Sequence, residues 1–232
     1  MFTLTPEEQA AVELSVRVSL WATVTSLPPG LAMAMLLSRG KFWGKSILNG
    51  IVLLPLVLPP VVTGYILLLL FGRRGPLGAF LADKLGIVFA FRWTGAALAC
   101  AVMGFPLLVR AMQLSIDSID RALEDAAGTL GANPVWVFVT VTLPLILPGI
   151  IAGTILSFAR AMGEFGATIT FVSNIPGETQ TLPSAIYTFT QVPGGDVAAF
   201  RLTVIAVVVS MSALLISEAI SYVVGRRIGV EG

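Results

Sequence analysis

Residues 145–172 read LILPGIIAGTILSFARAMGEFGATITFV, and only Arg160 and Glu164 among them carry charge. As a helix rising about 1.5 Å per residue this run is ~42 Å long, more than the ~30 Å hydrocarbon core of a bilayer. Its Val, Ile and Thr would favour strands in water. Lipid offers the backbone no partner, so a helix that satisfies its own hydrogen bonds is expected instead.

Working outward, four more apolar runs bounded by charge or turn residues lie at 14–37, 47–71, 93–113 and 202–224. The 232 residues are 56% hydrophobic and 12% charged, against roughly 25% charged in a soluble domain, so a water-exposed surface cannot be built from them. The expected fold is an all-α integral membrane protein of about five transmembrane helices, one domain over 1–232. Glu7, Glu8 and Glu13 precede the first cation, Arg17, which is the wrong charge for a signal peptide, so the first run reads as a retained span. Pro28 and Pro29, then Pro55, Pro59 and Pro60, then Pro106 predict kinked or interrupted spans. Gly149 and Gly153 fit the small-residue spacing of close helix packing.

Five spans place the termini on opposite sides. Arg39, Lys41, Lys45, Arg110, Arg121, Arg226 and Arg227 fall on one side, and Arg73, Arg74, Lys84, Arg92 and Arg201 on the other. The excess of cations predicts an external N-terminus and a cytoplasmic C-terminus. The net charge of +1 gives no field for nucleic acid, so no nucleic-acid partner is expected.

The segment 114–144 differs from the other connections. Ile119, Leu123, Ala126, Ala127 and Leu130 recur at helical spacing between Asp117, Asp120, Arg121, Glu124 and Asp125, which predicts a short amphipathic helix over 117–130. Gly131 and Asn133-Pro134 would end it. Helices that lie on lipid carry many cations on the polar face, whereas this one sets Arg121 against four acids, so a partner protein is the expected surface.

The spacing Asp125-Ala-Ala-x-x-x-Gly131, then nine residues to Val141-x-Leu143-Pro144, resembles the EAA loop of bacterial ABC importer permeases. Asp125 stands where that family has Glu, with Glu124 just before it. The stretches 54–65, 72–76, 163–171 and 173–179 resemble the permease subunit of molybdate importers, and the Gly163-Glu-Phe-Gly166 signature is similar in sulfate permeases. The resemblance implies a homodimer in the bacterial inner membrane with cytoplasmic ABC ATPase subunits and a periplasmic or extracellular oxyanion-binding protein. It implies that ATP and Mg bind the ATPase and that this chain carries no cofactor. Glu124 or Asp125 would pair with a base on the ATPase, Ala126 and Ala127 would allow close approach, Gly131 would make the turn, and Leu143 and Pro144 would lead into the fourth span.

Other features have plainer readings. Gly40-Lys-Phe-Trp-Gly44-Lys45-Ser46 is one residue short of a phosphate-binding loop and follows a membrane helix, so Phe42 and Trp43 read as interfacial anchors. Arg160 and Glu164 share a helix face, either as a structural ion pair or as a polar element of an outer pathway. Thr168 and Thr170 could offer hydroxyls to an anion or bond their own backbone. Residues 173–199 read as an external loop around the apolar piece 182–189, which is either a docking surface or re-entrant. Without histidine, and with Cys100 in an apolar run, catalytic and metal residues are absent and the chain is not expected to be an enzyme. Three further readings remain at this point: the same importer carrying sulfate or another tetrahedral oxyanion, a secondary transporter or channel that needs no ATPase, and a scaffold that transports nothing.

Overall fold

The structure, a computed structural model, describes residues 4–129 and 131–228; Leu130 and the side chains of Arg226 and Arg227 lie outside what it describes. The described elements are helical. They are α1 (Pro6–Arg39), α2 (Lys45–Val57), α3 (Pro60–Phe71), α4 (Pro76–Leu85), α5 (Trp93–Asp117), α6 (Arg121–Thr129), α7 (Pro134–Val137), a π-turn (Phe138–Thr142), α8 (Leu143–Met162), α9 (Gly166–Val172), α10 (Leu182–Thr190) and α11 (Asp196–Ile228).

Helix α1 starts at a capping box. Thr5 Oγ1 accepts the Glu8 amide, Glu8 Oε2 accepts the Thr5 amide at 2.8 Å, and Pro6 occupies the first turn, where a missing N–H costs nothing. The other carboxylate oxygen of Glu8 receives Arg201 at 2.6 Å, which ties the top of α1 to α11. Ser15 Oγ accepts the Leu182 amide at 2.5 Å and holds α10 in the same layer. The piece 182–189 is therefore a docked short helix with Leu182, Ser184 and Ala185 buried.

The bundle centres on α1, α5 and α8. Its core runs from Val18, Ala22, Ala96 and Met103 to Ala34, Leu37, Leu108, Met112, Ile116 and Ile146. Gly149 and Gly153 lie against α5 as the spacing predicts: a Cβ on Gly153 would stand 3.0 Å from the Leu108 carbonyl oxygen. Large apolar side chains left exposed, among them Leu20, Ile47, Ile51, Tyr65 and Val207, form the surface a bilayer requires.

Four helical stretches are long and apolar enough to span a membrane; α2 and α3 reach that length and hydropathy only as a pair, bent by 115°. The second span, 47–71, is interrupted, as its prolines predict: Leu58 and Pro59 each precede a proline and are forced out of the α region, to φ −70°, ψ 142° and φ −54°, ψ 134°. Two other expectations are corrected. The span at 145–172 starts earlier, at Pro134, and is interrupted between Met162 and Gly166. The amphipathic helix begins at Arg121, because Asp117 still belongs to α5. By contrast α1 passes through Pro28-Pro29 and α5 through Pro106 without a break, held by packing such as Gly30 against Leu108.

The two interrupted spans meet. A Cβ on Gly64 would lie 2.9 Å from the Ala167 Cα, and one on Gly166 would lie 2.8 Å from the Pro60 Cβ. Gly64→Val is expected to lower stability by roughly 1–3 kcal/mol, the usual range for overpacking, read as a drop in thermal unfolding temperature in detergent.

Candidate functional site

The candidate residues fall in two polar clusters, the α6–α7 elbow at one end of the bundle and the paired helix breaks toward the other.

At the elbow, Asp120 Oδ1 accepts the Ala122 amide at 2.9 Å and starts α6. Gly131 makes the turn at φ +86°, a left-handed conformation that a side chain would strain. Asn133 Oδ1 then accepts the Trp136 amide at 2.8 Å, and Pro134 opens the next helix. Glu124 is the fastener. Its carboxylate takes Arg39 Nη2 at 3.0 Å on both oxygens and the Thr142 hydroxyl at 2.7 Å, pinning α6 to the end of α1 and the foot of α8. Beside it the Ser38 hydroxyl bonds the Asp117 carboxylate, so α1 and α5 end together.

The two candidate acids therefore part company. Glu124 is engaged within the chain, while Asp125 is exposed and forms no ion pair among the described residues. Ala126 is exposed and Ala127 half-buried. Around them Leu123 (52% exposed), Val135 (72%) and Trp136 (62%) form an apolar rim that no other described residue covers. A groove of about 310 Å³ runs beneath, walled by Arg39, Asp125, Phe138 and Thr142. Leu143 packs on the core at the foot of α8. Pro144 has no N–H to continue the ladder, and the π-turn just before it absorbs the mismatch.

At the breaks, α8 stops at Gly163. Glu164 then sits in the gap rather than on a continuous helix face. Its Oε1 accepts the Ala167 amide at 2.8 Å, capping the first turn of α9, and its Oε2 faces Arg160 Nη1 at 2.7 Å. The Glu164 side chain is 1% exposed and that of Arg160 28%. Oε2 receives no well-aligned hydrogen bond, so the charge of Arg160 holds it. The carboxylate is committed twice and is not a free group facing an anion. Thr168 donates its hydroxyl to the Phe165 carbonyl at 2.9 Å and Thr170 to that of Gly166 at 2.7 Å, so both hydroxyl protons are used on the helix's own backbone. Cys100 Sγ lies 3.5 Å from the Ala161 carbonyl, buried where α5 meets α8.

Sequence reasoning missed Arg39 and Thr142 as partners of Glu124, and the cap made by Glu164. The first two are distant in sequence and carry no local signal. The third had one: an acid just before a helix start is placed to accept a first-turn amide and to meet the positive end of the helix dipole. Among the described residues no group of three or more His, Cys, Asp or Glu side chains could hold a metal ion.

Residues 26–230 match the family described as binding-protein-dependent transport system inner membrane component. The molybdenum transport system permease protein ModB of Escherichia coli (strain K12) is 57% identical over 226 residues, 97% of this chain and 99% of that one. The protein of the same name from Haemophilus influenzae is 51% identical over 222 residues, 96% of this chain and 97% of that one. A bacterial ABC transporter involved in the import of the acidic polysaccharide alginate has the same fold, with TM-score 0.71 and 16% identity over 97% of this chain and 81% of that one. A broken-span bundle with an outward-facing elbow thus coincides with sequence identity over nearly its whole length: the chain belongs to the family of binding-protein-dependent transport system inner membrane components.

Proposed function

We propose that this chain is the membrane permease of an ATP-driven importer of molybdate, working as a homodimer with two cytoplasmic ATPase subunits and an external oxyanion-binding protein. The observation that carries the coupling is the elbow. A short helix is fastened by Glu124 to α1 and α8, while Asp125, Ala126 and the apolar rim face outward. ATP and magnesium belong to the ATPase. When two such subunits close on nucleotide, displacement of the rim moves α6 as a rigid piece. The Arg39 and Thr142 contacts then pass the motion to two spans at once. Asp125 supplies the charge that meets a base on the ATPase. The elbow lies in the cytoplasm and the N-terminus outside, in agreement with the distribution of cations.

The paired breaks form the movable part of the pathway. Two helices interrupted at the same depth, one by Pro59-Pro60 and one by Gly163 to Phe165, can swing about their gaps without unmaking long hydrogen-bonded runs. Molybdate as the cargo is supported by the near-complete match to the molybdenum permeases. The test is uptake of radiolabelled molybdate by proteoliposomes holding permease, ATPase and binding protein. ATP-dependent uptake that excess sulfate leaves largely intact is expected. Preferential sulfate uptake would remove the substrate assignment, and uptake indifferent to ATP would remove the importer assignment.

A further inference from the structure

At the end of the bundle opposite the elbow lies a pocket of about 600 Å³ that gathers cations from three separate elements: Arg17 on α1, Arg73 between α3 and α4, and Arg92 just before α5. The stretch of α1 from Arg17 to Arg39 spans ~33 Å, so the pocket and the elbow stand on opposite faces of a bilayer. Among the described residues the ion pairs use Arg39, Arg160 and Arg201, and no carboxylate lies within 4 Å of the three pocket arginines. Glu178 is the one acid in the lining, which leaves three positive charges against one negative.

The site is also partly built. The Arg17 guanidinium lies 4.0 Å from the centre of the Trp93 ring, and Trp93 packs on Trp21, so one cation is held in place before anything binds. Helix α5 starts at this pocket with no side chain capping it, and its first amides add partial positive charge. Phe91, in the lining, sits at φ +59°, a conformation a bulky residue adopts only when its surroundings force it.

We propose that this pocket is a staging site for a doubly charged tetrahedral oxyanion at the external mouth, bound with part of its water shell by guanidinium forks from Arg73 and Arg92 and by the fixed charge of Arg17. The choice of anion rests on the molybdate reading above; the existence of the site does not. A phospholipid phosphate presents the same chemistry and is the alternative source of the ligand.

The test is equilibrium retention of radiolabelled molybdate by the full chain in nanodiscs of phosphatidylcholine, with retained phospholipid counted by native mass spectrometry. Saturable molybdate retention is expected, weakened at least about tenfold in R73Q/R92Q, only partly restored in R73K/R92K, which keeps the charge but loses the fork, and unchanged in R74Q, whose side chain is outside the lining. Phospholipid lost from R73Q/R92Q in place of molybdate assigns the same oxyanion chemistry to a headgroup. If neither ligand distinguishes R73Q/R92Q from the wild type while both unfold at the same temperature, the site does not exist. The two readings fail separately. Unimpaired ATP-driven uptake with no arginine-dependent retention removes the pocket alone, and arginine-dependent retention by a chain that transports no molybdate removes the importer reading alone.

Discussion

Glu164→Ala is expected to nearly abolish uptake and to lower stability by about 3 kcal/mol, toward the low end of the range for removing one member of a buried ion pair, because Arg160 keeps some contact with water. The substitution removes two things at once. Arg160 loses the carboxylate 2.7 Å away, and the Ala167 amide loses its acceptor at the start of α9. An uncapped α9 no longer holds its register against α3, where Gly64 and Gly166 leave no room for adjustment. Glu164→Gln separates the contributions, since an amide oxygen can still cap α9 but cannot balance Arg160. Thermal unfolding in detergent and uptake by proteoliposomes measure both. A Glu164→Ala protein with wild-type stability and transport would show that the break tolerates loss of its cap.

Glu124→Lys is expected to reduce uptake at least about tenfold while lowering stability by about 1–3 kcal/mol, between the values for surface and fully buried pairs, because both partners are only about one-fifth exposed. A lysine beside Arg39 replaces attraction with repulsion and cannot accept the Thr142 hydroxyl proton. Helix α6 would then sit on the ATPase without a firm hold on α1 or α8, so ATP would still be hydrolysed while transport failed. The ratio of molybdate moved to ATP consumed is the measurement. Asp125→Asn should differ in kind: with no ion pair inside the described chain, its loss weakens assembly with the ATPase, read as retention on an affinity column. Equal loss of assembly in both variants would mean that Glu124 also faces the partner.

The span pattern was legible because lipid forces helices wherever apolar runs exceed the bilayer, and the elbow was legible because its glycine, asparagine and proline act locally. Gly131 and Asn133 do in the structure what their types predict. Proline was read less well. Six prolines in three spans predicted distortion, yet only the tandem at Pro59-Pro60 divides a span, since there two successive residues are denied the α region. At Pro28-Pro29 the packing of α1 on α5 outweighs the same local preference. The break at Gly163 was missed because the run 145–172 was judged by its hydropathy, which does not register a cap. The Arg39–Glu124–Thr142 contact joins three elements that no spacing rule connects, and three-dimensional packing alone brings them together.

The π-turn at 138–142 carries a further consequence. One surplus residue in the turn sets every later side chain back by about 100° relative to an unbroken α-helix. Trp136 on the rim and Arg160 at the gap are thus out of phase with any helical wheel drawn straight through Pro144. In this chain the wheel must be restarted at Leu143. A single deletion within this turn would restore a regular α-helix and keep the rim and the gap in their present relative orientation, whereas a deletion in the α-helical part of the span would turn one against the other by about 100°.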